Sequence, residues 1–174
     1  MNYPIPSDED KRLQFLQELS ILDSARDETL DRITRLCQLI YSVPISTVSL
    51  IDEDRQWFKS FQGLDVCETD RELAFCNYTI LGDEIFEITD AATHPDFMDN
   101  ALVTGDPNIR YYAGAPLIYD GFNIGALCLI DTSVREPLDT AGRETLTELS
   151  KLVIHEFKTT RLLRRAVASL ANRG

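Results

Sequence analysis

The chain has 174 residues, 44% of them hydrophobic, with 17 Lys and Arg against 29 Asp and Glu, a formal charge of −12. That composition describes one packed domain spanning residues 1–174. Its sign works against DNA, RNA or an anionic membrane as partner, because phosphate-rich surfaces need a basic face. The opening "MNYPIPSDEDKR" has no apolar run, and no stretch approaches the roughly 20 apolar residues that span a bilayer. The expected location is therefore cytoplasmic, with Cys37, Cys67, Cys76 and Cys128 as reduced thiols.

In chain order, Ser7 to about Ser20 reads as a short helix capped by Ser7, with Asp8, Glu9 and Asp10 at its positive end and Leu13, Leu16 and Leu19 as its stripe. Ser24 is a second candidate cap. Leu30, Ile33, Cys37 and Ile40 then fall on one face of a helix ending near Tyr41. "ISTVSLID" (45–52) is β-branched and short, which favours a strand. Val48 and Leu50 point one way, Thr47, Ser49 and Ile51 the other. "QWFKSF" (56–61) returns after a turn. Residues 62–72 have no clear period and read as surface loop. "LAFCNYTILG" (73–82) reads as a short helix ended by Gly82, and "EIFEITDA" (84–91) as a strand. The Pro-, Asp- and Thr-rich stretch from Ala91 to Asn108 is a long loop of the kind that tends to carry function.

"IRYYAGAPLIYDGFNIGALCLID" (109–131) is a hairpin turning at Asp120-Gly121. A two-residue turn pairs Ala113 with Cys128 and Ala115 with Ala126 on one side, and Arg110 with Asp131, Tyr112 with Leu129 and Gly114 with Leu127 on the other. Pro116 cannot donate to a ladder, so its strand is open or bulged there. The alanines form a flat floor on which helices pack closely. The Arg110, Tyr112 and Gly114 side is left for a loop or a ligand. From about Asp139 to Ala171, and to residue 172 at the furthest, Leu146, Leu149, Val153, Leu163, Val167 and Leu170 mark one long helix whose end overhangs the body. After Glu156 its charges are all positive (Lys158, Arg161, Arg164, Arg165, Arg173), suiting the helix's negative end or an acidic partner.

Glycine-rich phosphate loops, metal-spaced Cys and His, and a G-x-S-x-G nucleophile turn are all absent from the sequence.

Several stretches together resemble a GAF domain of bacterial signalling proteins. They are "ILD" at Ile21, "LDRITRL" at Leu30, "VPISTVSLIDEDRQWFKS" from Val43, "FC" at Phe75, "DPNIRYYAGAPL" from Asp106 and "GALCLID" from Gly125. The resemblance runs from about Arg12 to Phe157. It implies an α+β, profilin-like fold: a central antiparallel sheet of five or six strands, terminal helices on one face, and a pocket of loops and short helices on the other. It also implies a non-catalytic sensor that dimerises through its terminal helices and signals to a kinase, cyclase or phosphodiesterase output. Family ligands include cyclic nucleotides, bilins, haem and amino acids. No cofactor is assigned here: the Asn-Lys signature of cyclic-nucleotide binders is missing, and Cys76 is followed by Asn77 and Tyr78 where bilin binders carry His.

The candidate ligand-binding residues are Trp57, Phe75, Cys76, Tyr78, Thr79, Asp90, Asn100, Arg110, Tyr112 and Gly114. Arg110 either grips a carboxylate or phosphate with two prongs or pairs with Asp131. Tyr112 either stacks on a ring or packs. Trp57 and Phe58 are alternatively core or dimer contacts, and Asp90 and Asn100 alternatively cap turns. Two other functions stay open: a ligand-free dimerisation scaffold, and a methionine sulfoxide reductase using Cys67 and Cys76 as nucleophile and resolving thiol.

Overall fold

Six antiparallel strands in the order β3-β2-β1-β6-β5-β4 form the centre of the computed structural model, which describes residues 3–171. They are β1 (Ile45–Ile51), β2 (Arg55–Gln62), β3 (Glu68–Asp70), β4 (Phe86–Ile88), β5 (Tyr111–Tyr119) and β6 (Phe122–Asp131). Helices α1 (Glu9–Leu19), α2 (Glu28–Tyr41) and α5 (Thr140–Ala171) cover one face. The one-turn helices α3 (Cys76–Thr79) and α4 (Ala101–Thr104) lie with the loops on the other. No helix among the described residues is long and apolar enough to cross a membrane.

The helix-side core joins Leu16, Leu30, Ile33 and Cys37 to Val48, Leu50, Ala113, Ala115, Leu127 and Leu129, with Leu146, Leu149, Val153 and Phe157 of α5 above them. The alanines do what their size suggests, letting α5 sit close over β5. Ile40 departs from the expected stripe. It is exposed, and Tyr41 turns inward instead, where its hydroxyl donates to the Gly142 carbonyl at 2.8 Å and ties α2 to α5.

The caps also differ from expectation. α1 begins at Glu9 after Asp8, with no side-chain cap at that end, and Ser7 lies in the turn before it. Ser24 caps nothing; it receives the Lys59 ammonium at 2.7 Å. The cap of α2 is Asp27, whose carboxylate accepts from the Thr29 and Leu30 amides at 2.9 and 3.1 Å. Asp27→Ala should cost about 1 kcal/mol, lowering the melting temperature by about 3 °C in a calorimetric scan.

The hairpin turns at Asp120 and Gly121, both with positive φ, and Tyr119 faces Phe122 as expected. The register then slips. Pro116 faces Ala126, while Ile118 faces Asn123, so Ile124 and Gly125 together oppose Leu117. This bulge shifts every later pair by one: Ala113 faces Leu129, Gly114 faces Cys128 and Tyr112 faces Ile130. Ala126 and Cys128, expected under the helices, therefore lie on the opposite face. A second bulge leaves Lys59 unpaired in β2, between Ser60 opposite Val48 and Phe58 opposite Ser49.

The stretch expected as loop at 62–72 contains β3, an edge strand pairing Arg55–Trp57 with Glu68–Asp70, and a 3-10 turn at Arg71–Leu73. Buried positions of α5 end at Phe157, and every described residue after Arg161 is exposed. Lys158 pairs with Asp120 at 3.0 Å and Arg164 donates to the Ser20 carbonyl at 3.0 Å, so two of the basic residues dock on the body. Arg173 and residue 172 lie outside the described residues.

Candidate functional site

On the helix-free face, strand alternation turns Thr47 and Ser49 of β1, Gln56 and Phe58 of β2, and Cys128 and Ile130 of β6 toward one cavity of about 500 Å³. Phe75 and Cys76 close one wall and Leu64–Val66 another, with Asp106-Pro107 at the rim. The floor is polar and paired. Thr47 and Ser49 hydroxyls meet at 2.7 Å, and Ser49 lies 3.7 Å from the Cys128 sulfur. A wider groove of about 660 Å³ lies on the helix side between α5 and β5, lined in part by exposed charged residues such as Glu84, Glu144 and Lys151. The smaller cavity has the buried polar floor expected of a ligand site.

Of the expected site residues, Phe75, Cys76 and Tyr112 line this cavity. Tyr78, Thr79 and Gly114 sit beside it in a packed plug. Phe75 stacks on Phe97 at 4.3 Å, and Tyr78 on Phe86 at 5.4 Å. Tyr112 folds back over Gly114, a position where any Cβ would strike the Tyr112 and Thr79 oxygens. Its hydroxyl donates to the Cys76 sulfur at 3.2 Å, so Thr79, at 2.8 Å, is its donor. The space expected directly above Tyr112 and Gly114 is thus filled, and the cavity opens further across the sheet, over β6, β1 and β2.

The remaining expected residues hold loops. Asp90 accepts from the Ala92 amide at 3.1 Å; Asn100 caps α4 through the Leu102 amide at 2.9 Å and donates to the Leu73 carbonyl. Arg110 donates to the Val103 and Ile109 carbonyls, each at 3.0 Å. The expected pairing of Arg110 with Asp131 is limited to backbone: the Asp131 carboxylate belongs to Arg135, at 2.7 Å. Trp57 lies in the helix-side core, because residues 56 and 58 take the cavity side of β2. Thr47, Ser49, Gln56 and Phe58 went unselected as site residues in the sequence, though the two-residue period of both strands places them together.

Cys76 and Cys128 face each other with sulfurs 3.3 Å apart, both fully buried. Burial first, then the neighbouring Cys128 thiol, pushes Cys76 well above the ordinary thiol range. Burial opposes a thiolate at Cys128 too, but its hydrogen bonds, that from the Cys76 thiol first, outweigh it and lower its value.

The GAF domain model matches residues 25–156. The chain belongs to the GAF domain family. It is 40% identical over 159 residues to a cyclic di-GMP phosphodiesterase of Pseudomonas aeruginosa, a match covering 91% of this chain and 27% of that protein. The chain thus spans about a quarter of that relative's length. Among solved structures, the GAF domain of PixJ from Thermosynechococcus elongatus in its blue-light absorbing form aligns with a TM-score of 0.66 at 14% identity, covering 94% of this chain and 97% of that one. The free methionine-R-sulfoxide reductase of Neisseria meningitidis aligns at 0.64 and 20% identity, covering 94% and 99%. The GAF domain of an Acinetobacter phosphoenolpyruvate-protein phosphotransferase aligns at 0.63 and 16%, covering 89% and 98%. At these identities the likenesses establish the GAF fold.

Proposed function

We propose that residues 1–174 form a single non-catalytic GAF sensor of the bacterial cytoplasm. It binds a small molecule in the cavity over β1, dimerises through α2 and α5, and reports occupancy to an output domain or partner. The observation that carries this reading is the cavity of about 500 Å³ on the helix-free face, floored by Thr47 and Ser49. The output class it fits best is cyclic di-GMP turnover, by similarity to the Pseudomonas phosphodiesterase. Dimerisation is supported by the apolar side chains left in water on the helical side: Leu36, Leu39 and Ile40 of α2, with Leu152, Leu163, Val167 and Leu170 of α5.

A native mass spectrum of the protein purified from its host tests both parts, with a dimer carrying a retained small molecule as the expected species. In sedimentation, Leu163→Glu combined with Val167→Glu should convert dimer to monomer without changing the near-ultraviolet dichroism, since both positions are exposed.

A ligand-free dimerisation scaffold is the second reading, favoured by the Phe75, Phe97 and Tyr112 packing that already fills part of the face. A bare dimer in the native spectrum would favour it. The reductase reading needs a reactive thiolate, and Cys76 is held protonated; the thiol that meets it is Cys128, not Cys67.

A further inference from the structure

Gln56 is 7% exposed, and its side chain lines the cavity. Its amide nitrogen donates to the Thr69 hydroxyl at 3.2 Å, while its oxygen Oε1 is buried and meets no donor among the described residues. A buried acceptor left without a partner costs about 1–3 kcal/mol, so this oxygen is a place where a bound N–H would be stabilised.

The charges around it point the same way. The cavity lining contains no Lys, Arg or His, whereas Asp65 and Asp106 stand exposed at its edge without an ion-pair partner among the described residues. Glu68 is held by Arg55 at 2.7 Å, but that guanidinium also serves Asp23 and Asp52, three carboxylates to one cation. Arg110, the nearest expected anion binder, is committed to backbone carbonyls. A phosphate or carboxylate entering here would lose its hydration and find no cation in exchange.

Resting on the sensory reading above, we propose that this cavity takes an apolar small molecule bearing an amine or amide, whose N–H donates to Gln56 Oε1, and that it rejects anions. Phe58, Phe75 and Ile130 supply the apolar walls for the body of such a ligand.

The test is a matched probe set on one ring that has no donor of its own: phenethylamine, phenylacetamide and phenylacetate, titrated into isotopically labelled protein by NMR. The amine and the amide should shift the Gln56 side-chain and the Thr47 and Ser49 backbone resonances and bind at least about tenfold more tightly than the acetate. Gln56→Leu should weaken the amine about tenfold. Gln56→Glu, which keeps an acceptor in place, should retain it. Asp65→Asn with Asp106→Asn, both at exposed positions, should narrow the gap between amine and acetate. Acetate binding as tightly as the amine, or an amine indifferent to Gln56→Leu, would overturn the ligand class and leave the sensor reading standing. If none of the three probes perturbs Thr47, Ser49 or Gln56, the proposed ligand class falls, and the sensor reading falls with it only if the native mass spectrum also shows a bare protein.

Discussion

Glu9→Ala should destabilise the protein by about 3 kcal/mol, lowering the melting temperature by about 10 °C. Glu9 lies in the first turn of α1 and serves two buried guanidiniums. Arg12, 1% exposed, bonds it at 2.7 Å and 2.8 Å and also donates to the Ile51 carbonyl at the end of β1. Arg71, 2% exposed, bonds Glu9 at 2.6 Å, the Asp52 and Glu53 carbonyls, and the Asn77 side chain. Two cations thus converge on one carboxylate, and removing it leaves both buried with backbone carbonyls and the Asn77 amide as partners. The pH dependence follows. Burial alone would raise the Glu9 carboxyl, but the hydrogen bonds and charges of Arg12 and Arg71 outweigh it and hold it below the usual glutamate value of 4.5. A lowered folded-state value gives stability that is fully present above the unfolded value and disappears as pH falls through the folded one. Urea midpoints measured from pH 7 down to pH 3 should show this loss in the natural protein and a flatter profile in Glu9→Ala. A variant as stable as the parent at pH 7 would show that the cluster anchors nothing.

Gly125→Ala should cost about 3 kcal/mol and reduce soluble yield. Gly125 pairs with Leu50 across β1 and β6 at the middle of the sheet, and a Cβ there would overlap the Ser49 carbonyl, with the Leu50 backbone close behind. Backbone cannot swing aside as the end of a side chain can, so relief requires β1 and β6 to separate. The same residue forms half of the bulge opposite Leu117, where the extra length of β6 is absorbed. Chemical denaturation measures the loss.

Sequence patterning made most of the frame readable, because alternation and helical periodicity follow burial directly. Val48 and Leu50 against Thr47 and Ser49 separated the two faces of β1, and Asp120-Gly121 located the turn. What failed was distance from the turn. Pairing by arithmetic was right at Tyr119 and Phe122 and wrong beyond Leu117, although Pro116 signalled an irregular ladder. One extra residue moved Cys128 from the helix side to the cavity side, and with it the thiol pair that no spacing rule relates to Cys76. The cavity lies on the face expected to be free of helices, but over β6, β1 and β2 and not directly above Tyr112 and Gly114 of β5. Tyr112 packs on Phe75, and Tyr78 on Phe86 and Phe97, a result of packing among residues far apart in the chain. Trp57 was chosen for its residue type, whereas its neighbours Gln56 and Phe58 hold the cavity position because of their parity in the strand.

Arg71 links the cavity wall to the first helix of the fold. Its guanidinium grips α1 through Glu9 and the one-turn helix beside the cavity through Asn77, which returns a bond to the Arg71 carbonyl at 2.7 Å. In the proposed sensor, a tilt of α3 that accommodates a guest would redistribute Arg71's donors, and by reciprocity a pull on α1 would alter how readily α3 tilts. Asn77, Arg71 and Glu9 thus join the helix beside the cavity to the first helix of the fold by three side chains, without crossing the sheet to α5.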